Sequence, residues 1–529
     1  MKFDKVVDIL GGFGTYQKRL FLMSCIPSFL DALLILSSIF ILAIPNYRCR
    51  LPKEFNDTNY YPNDDVTEYY VNLTIPRIED KWSGCQRYIN LSTIDDYPVS
   101  SQNYSTTSCN EWVYDTSTFV DTFITQTNMV CDKAVYRSHA NMVLMAGIMV
   151  GSLAFGLYSD MFGRRIAAIT SGVLCIASSF GLAFASSFWS FVVIRFINGM
   201  ATIGSHMACF VLVMELVPSS KRTFVGVVQL FFWSFGLFTL SFLAYFIRTW
   251  QYLQIAISVP CLLYIFIFCF MPESPRWLLT CGKRKKAEDI LRKAAKVNKI
   301  ELTAQLDEVL DIKDNDQPQL QIWEMFTSPI LIIRSLIIFL NWIVVNMVFY
   351  GLGLNVGNLG GNIYLNFTIS NVVETIAYVL CLLLLDRMGR KTLLCTSMLV
   401  GGIACLCTIF PVLYGSKGNF WMIIALSMVG KLGASAAFVI IYIFTIELFP
   451  TVVRNSSLGV CSFLARIGGL ASPYIADLGT LISGDIGTAL PLIVFGCSSV
   501  VAGILSLYLP ETLRKTLPET IQDAKYFGR

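Results

Sequence analysis

The sequence predicts an all-α membrane protein of twelve transmembrane helices arranged as two six-helix halves. Three observations carry this. First, of 529 residues 55% are hydrophobic and only 14% are charged, and the mean hydropathy is +0.60. A soluble core could not bury that much apolar surface, and a disordered chain would carry more charge. Second, the apolar residues fall into twelve runs of spanning length, about 20 residues each. Third, three charged motifs recur in the same order in both halves of the chain. The net charge of +4 is small and spread over loops, which excludes nucleic acid as a partner.

The first run covers about 20–44 and follows Lys2, Lys5, Lys18 and Arg19. It is too long for a cleaved signal region and reads as a retained signal anchor. Five more runs follow at 140–158, 167–187, 189–213, 224–247 and 251–271, and six close the chain at 331–354, 363–385, 393–414, 420–445, 456–482 and 488–509. The organisation expected is a terminus at 1–19, a first half at 20–271, a linker at 272–329, a second half at 330–509 and a tail at 510–529. Arg164, Arg165, Lys221, Arg222, Arg387, Arg390, Lys391 and Arg454 all lie in short loops on one side. By the positive-inside rule that side, both termini and the linker are cytoplasmic.

The stretch 45–137 is then extracellular. It holds Cys49, Cys85, Cys109 and Cys131, which two disulfides would satisfy in any of three pairings. It also holds glycosylation acceptors at Asn56, Asn72, Asn90 and Asn103. Both signals require a lumenal compartment. The linker carries ten Lys/Arg and ten Asp/Glu. Within it, 283–299 reads as an amphipathic helix that sets Ala287, Ile290, Leu291 and Ala294 against the bundle.

The duplication keeps the same order in both halves. Asp160-Met-Phe-Gly163-Arg164-Arg165 matches Asp386-Arg-Met-Gly389-Arg390-Lys391 at an offset of 226. Glu215-Leu-Val-Pro218 with Arg222 matches Glu447-Leu-Phe-Pro450 with Arg454 at 232, and Pro272-Glu273-Ser-Pro-Arg276 matches Pro510-Glu511-Thr-Leu-Arg514 at 238. The glycines permit tight turns. The acids and arginines (Asp160, Arg164, Glu215, Arg222; Asp386, Arg390, Glu447, Arg454) are expected to pair across the cytoplasmic face and hold it shut. Two similar halves that rock about a central site give alternating access.

Together these motifs resemble the major facilitator superfamily over essentially the whole chain. Phe13-Gly14 with Gln17, the cysteine-bearing loop, Pro272-Glu-Ser-Pro-Arg-Trp277, Lys293-Ala-Ala-Lys296, Gly430-Lys431 and Glu447-Leu-Phe-Pro-Thr-Val-Val-Arg-Asn455 resemble solute carrier family 22 more narrowly. Ala244-Tyr-Phe-Ile-Arg-Thr-Trp250 and Ala436-Ala-Phe438 look most like its organic cation/carnitine branch.

Ionisable groups deep in a membrane are costly and are functional candidates by default. Asp31, Glu374, Lys431 and Arg466 each lie near a span midpoint, and His206 lies nine residues before the end of span 4. Two acids and two bases cancel, which suits a zwitterion, or a small ion exchanged against an internal counter-charge. The plainer reading pairs Glu374 with Lys431 and Asp31 with Arg466 as structural ion pairs, and makes His206 a satisfied bundle histidine. The resemblance marks Arg466 as the selectivity position: cation transporters of the family carry an acid there, and anion and carnitine transporters carry Arg. A guanidinium can hold a carboxylate bidentately, while Asp31 could hold an ammonium. The resemblance also implies Trp342, Phe349, Tyr350, Tyr364 and Phe210 as cavity aromatics able to meet a quaternary ammonium. It links Glu447 to sodium coupling, although a place in the gate network is the simpler role.

The chain has two histidines, His139 and His206, and no metal-ligand spacing or nucleophile motif, so an enzyme is not expected. No cofactor or metal is expected either; sodium coupling and counter-substrate exchange remain alternatives. The expected partners are a small organic ion as substrate and the lipid bilayer, with homo-oligomer formation left open. The function expected is a plasma-membrane secondary transporter of small organic cations or carnitine-like zwitterions. The rivals are an organic anion exchanger and a non-transporting receptor on the same fold.

Overall fold

The computed structural model describes residues 6–7, 9–51, 57–78, 81–88, 105–300, 328–414, 420–450, 453–481, 485–513, 515, 518 and 521–527. Among them are twelve helices long and apolar enough to cross a membrane. The first half comprises α1 (Thr15–Ile41), α2 (Cys131–Phe162), α3 (Arg164–Leu182), α4 (Phe188–Leu216), α5 (Phe224–Phe246) and α6 (Trp250–Phe270). The second comprises α7 (Pro329–Asn358), α8 (Ile363–Met388), α9 (Arg390–Tyr414), α10 (Trp421–Leu448), α11 (Ser457–Ala476) and α12 (Ala489–Ser506). These follow the twelve apolar runs of the sequence. The run expected over 456–482 ends earlier as a continuous helix, at Ala476 before Asp477.

Each half packs on itself, α2 against α4 and α3 against α4 in the first, α7 against α11 and α9 against α10 in the second. The halves meet along two seams, α5 against α8 and α2 against α11. Apolar side chains exposed on the outer helix faces, such as Phe184, Phe242, Leu383 and Val501, are what a lipid-facing surface needs. Pro27 interrupts the backbone ladder of α1, and Gln229 of α5 donates to the Ser24 carbonyl in that turn at 3.0 Å. A neighbouring helix thus satisfies backbone that the proline disturbs.

The segment between α1 and α2 folds as a small subdomain of paired short strands, Tyr47–Cys49 with Trp112–Tyr114 and Gln86–Tyr88 with Thr106–Ser108. Its disulfides are Cys49–Cys109 and Cys85–Cys131, one of the three pairings. Arg48 is buried at its centre and grips Asp57 with two bonds, at 2.7 and 2.6 Å. The subdomain docks on both halves. Arg248, between α5 and α6, donates to the Ser117 carbonyl at 3.1 Å, and Tyr364 of α8 donates to the Thr118 carbonyl at 3.2 Å.

At the opposite end the linker forms helices Pro275–Thr280 and Arg284–Asn298. The second buries Ala287, Leu291, Ala294 and Ala295, with Ile290 partly buried, which is the apolar stripe expected. Asn298 ties it to the start of the chain, donating to the Leu10 carbonyl at 2.8 Å and accepting from the Tyr16 N–H at 2.8 Å.

Candidate functional site

The midplane groups sort into two clusters. In one, both carboxylate oxygens of Glu374 of α8 face donors. Its Oε2 lies 2.9 Å from Lys431 Nζ of α10, and the two side chains are 1% and 4% exposed. Its Oε1 accepts from Tyr378 at 2.7 Å and from Trp233 Nε1 of α5 at 3.0 Å. Lys431 also donates to the Phe349 carbonyl at 3.3 Å and sits 3.9 Å from the Phe349 ring centroid. The pair is almost wholly enclosed, and each carboxylate oxygen faces an ion-pair or hydrogen-bond donor, as low-dielectric burial requires.

In the other cluster, Asp31 Oδ2 lies 2.8 Å from His206 Nδ1, joining α1 to α4. The acid side chain is 6% exposed and the imidazole 28%. Among the described residues, Asp31 Oδ1 is buried without a hydrogen-bond partner. Arg466 of α11 lies within electrostatic reach of both Asp31 and Tyr350. The expected Asp31–Arg466 ion pair is therefore corrected: His206 holds the carboxylate, and Arg466 stands beside it without a direct ion pair. His206 is correspondingly more than an incidental bundle histidine, because its partner is the buried acid.

The expected aromatics divide. Phe210 stacks on His206 at 6.1 Å. Phe349 stacks on Phe438 at 4.5 Å and meets Tyr350 edge-on at 5.3 Å. Trp342 packs edge-on against Tyr442 at 4.4 Å and donates to Thr445 at 2.9 Å, a fully buried helix contact. Tyr364 does not join them. It lies at the first turn of α8, bonded to the loop subdomain and packed on Phe40 at 5.7 Å.

The duplicated motifs build two matching networks at the end that carries the linker. In the first half Arg164 reaches Asp160 at 3.0 Å and Glu215 at 3.2 Å. Ser274 donates to Glu215, and Glu273 accepts from the Arg164 N–H at 2.8 Å. In the second, Arg390 reaches Asp386 at 3.1 Å and Glu447 at 3.0 Å. Thr512 donates to Glu447 at 2.6 Å, and Glu511 accepts from the Arg390 N–H at 2.9 Å. Burial raises the Glu511 pKa, but the N–H groups of Leu513, Arg390, Thr512 and Thr392 outweigh it and hold the carboxyl below its ordinary value. Gly163 and Gly389 have φ of +105° and +94°, and a Cβ at either would strike Glu273 or Glu511, so glycine is required at both.

These networks close within each half. The expectation that they pair across the face is thereby corrected among the described pairs. Each arginine finds its acids on the adjacent helices of its own repeat, which local geometry brings closest. Arg222 lies half-buried near the start of α5. Arg454 begins the helix leading into α11, and its side chain lies outside the described residues, as do Asn56, Asn90 and Asn103. Asn72 lies in the helix Asp65–Thr74, and its Oδ1 accepts from Trp82 at 2.9 Å.

Polar contacts between the halves cluster instead toward the loop subdomain. Asp477, just past α11, accepts from Ser138 at 2.6 Å and lies 3.6 Å from Arg137. His139 and Tyr474 share a hydrogen bond of 2.7 Å, and Asn358 accepts from Arg137 at 3.3 Å. Sequence patterning did not single out Arg137, Ser138, Asp477 or Tyr474, although an acid at the end of one apolar run and a base at the start of another are visible signals. It also missed Arg195, fully buried in α4 over the Phe191 ring, and the two donors to Glu374. Tyr378, four residues along the same helix, is discoverable by spacing; Trp233 is not.

Two six-helix halves with repeated charged turns and ionisable groups held at mid-depth define a membrane transporter. Comparison with known proteins narrows the class. The family described as sugar (and other) transporter matches residues 99–523. The chain is 39% identical to the organic cation transporter protein of Drosophila melanogaster, covering 100% of this chain and 95% of that one. It is 32% identical to mouse solute carrier family 22 member 3, over 99% and 96%, and 32% identical to human organic cation/carnitine transporter 2, over 98% and 93%. The fold is that of the proton:xylose symporter XylE bound to 6-bromo-6-deoxy-D-glucose (TM-score 0.60, 19% identity, 96% of this chain and 99% of that one). The chain belongs to solute carrier family 22 of the major facilitator superfamily.

Proposed function

We propose that the protein is a plasma-membrane carrier of small organic cations or carnitine-like zwitterions, working by alternating access with both termini in the cytoplasm. The observation that carries this is the contrast at mid-depth: each oxygen of Glu374 faces a donor, Lys431 at one and Tyr378 with Trp233 at the other, whereas Asp31 keeps an oxygen with no described hydrogen-bond partner beside a partly exposed imidazole. An ammonium group entering between the halves meets one unsatisfied acid, with Phe210 and Tyr350 nearby for its methyl groups. Arg466 adds a carboxylate-binding fork on the facing half, which suits a zwitterion. The organic cation names of the relatives agree with this reading, and the basic loops support the orientation.

The boundaries 20–271 and 330–509 are the rocking bodies in this proposal. The networks around Arg164 and Arg390 keep each body rigid, and the contacts around Asp477 form the closure that must break to open toward the loop subdomain. Glu447 is engaged by Arg390 and Thr512, which favours a structural role over sodium binding. Asn56, Asn72, Asn90 and Asn103 are proposed glycan acceptors; Asn→Gln at all four lowers apparent mass and leaves substrate order unchanged.

Arg466 favours one second reading, an organic anion exchanger. Competition uptake of tetraethylammonium, carnitine and an aromatic carboxylate, with and without sodium, separates the two. The cation reading expects the first two to compete. Exclusive transport of the carboxylate contradicts it, and binding without flux makes the protein a receptor.

A further inference from the structure

Resting on the reading of the protein as an alternating-access carrier, the geometry points to an outer catch. We propose that the loop subdomain travels as part of the first half and that Tyr364 is the residue by which the second half holds it, so that outward opening requires this contact to break.

The argument starts from an asymmetry in how the stretch 115–131 is attached. Toward the first half it is bound at many points. The Val120 N–H donates to the Arg248 carbonyl at 3.1 Å, and the Trp250 N–H returns a bond to the Asp121 carbonyl at 3.2 Å. Gln126 Oε1 accepts from Trp250 Nε1 at 2.9 Å and from Gln251 at 3.0 Å. Phe123 stacks on Phe191 of α4 at 4.0 Å and meets Trp250 edge-on at 5.3 Å. The Cys85–Cys131 disulfide then ties the rest of the subdomain to the start of α2. These contacts reach α2, α4 and α6, so the subdomain is fastened to the first half at three helices.

Toward the second half the stretch makes one of the described hydrogen bonds, Tyr364 to the Thr118 carbonyl at 3.2 Å. The Tyr364 side chain is buried among rings of the first half. Phe40 of α1 stacks on it at 5.7 Å, Tyr245 of α5 meets it edge-on at 5.6 Å, and Phe119 of the stretch itself lies at 6.1 Å. Tyr364 stands in the first turn of α8, at the end of the helix that travels farthest when two halves rock about a site at mid-depth. Its ring and its hydroxyl are both held by the body from which α8 must part. One turn deeper on the same seam, Ser241 of α5 and Thr368 of α8 share a hydrogen bond of 2.8 Å, so the catch is the outer end of a continuous line of contact.

The strength suits a catch rather than a permanent lock. A single net hydrogen bond shifts an equilibrium by about two- to tenfold, enough to bias the carrier between its two states without trapping it in one.

The test uses the full chain in intact cells. Leu36 of α1 is buried, and a Cβ at Gly353 of α7 would lie 3.9 Å from it, so a cysteine in its place is reached from outside when the halves part. Adding Tyr364→Phe to Leu36→Cys keeps the ring and removes the hydroxyl. It should raise the rate at which an impermeant maleimide labels that cysteine by about two- to tenfold; an unchanged rate overturns the catch. Covalent bridging is the second measurement, each variant being compared with itself before bridging. Thr118→Cys with Tyr364→Cys, bridged from outside by a short bis-maleimide, should lose tetraethylammonium uptake. Thr118→Cys with Arg248→Cys, bridged within the first half, should keep it. Undiminished uptake after the first bridge overturns the catch and leaves alternating access intact. Lost uptake after the second overturns the assignment of the subdomain to the first half. If a double variant does not reach the surface, the labelling rate decides alone. No uptake by the parent, together with a Leu36→Cys site that never labels, overturns the alternating-access reading itself.

Discussion

Asp31 and Glu374 are chemically alike and similarly placed: single carboxylates within membrane-spanning helices, each in contact with one base. Their surroundings differ. Glu374 accepts from Trp233 and Tyr378 and faces Lys431, and both members of the ion pair are almost wholly enclosed. Asp31 faces His206 and keeps an oxygen without a partner. Burial alone does not tell a structural acid from a binding one; whether each oxygen faces a donor does. A buried ion pair in which each oxygen faces a donor holds helices in register, whereas one with an open oxygen and a titratable partner is prepared for a ligand.

The largest effect expected is on stability. Lys431→Met strands Glu374 in the interior and should cost about 3–5 kcal/mol, the usual consequence of removing one member of a buried pair. It should be visible as a collapse of thermal stability in detergent. Glu374→Gln together with Lys431→Met removes the stranded charge and should recover most of that loss. A full-stability Lys431→Met would dissolve the contrast with Asp31.

Arg466→Asp sharpens the comparison from the other side. The four formal midplane charges go from zero to minus two. A unit charge at ~4 Å and an effective dielectric near 20 is worth about 4 kcal/mol before desolvation. Carboxylate and carnitine-like substrates should lose uptake by at least about tenfold, and simple cations should keep or gain it. Arg466→Lys keeps the charge without the fork and should weaken carboxylate binding without reversing preference. Unchanged carboxylate uptake in surface-expressed Arg466→Asp would make Arg466 a structural residue.

A third acid, Asp477, reaches Ser138 and Arg137 in the other half, and the arginine lies at 3.6 Å. A thermal-stability cycle of Arg137→Ala and Asp477→Ala should give a coupling of about 0.5–3 kcal/mol, smaller than the Lys431 effect. No coupling would mean that the Arg137–Asp477 contact does not contribute to the closure toward the loop subdomain.

Much of this architecture is legible in the amino-acid sequence. The twelve helices follow from hydropathy, and the repeated motifs identify Asp160, Arg164 and Glu215 with their counterparts Asp386, Arg390 and Glu447: each aspartate lies four residues before its arginine, and each glutamate recurs in the second charged motif of its half. The direction of their pairing is not legible, since repeats of equal charge pattern can pair within or between halves. Nor is the choice of His206 over Arg466 for Asp31, which depends on the rotation of α1 and α4 about their axes. Tyr364 departs from expectation for a simpler reason: its position in the first turn of α8 assigns it to the end of the span rather than the middle.

Asp31→Asn tests the central claim most directly. The substitution keeps the size and a hydrogen-bonding group for His206 while removing the charge. Uptake of tetraethylammonium, normalised to the amount of protein at the cell surface, should fall by at least about tenfold, on the scale of a lost charge contact in a site of intermediate dielectric. Thermal stability should change little, in contrast to Lys431→Met. Parental cation uptake in a well-expressed Asp31→Asn would contradict the account and return the search for the binding acid to Glu374.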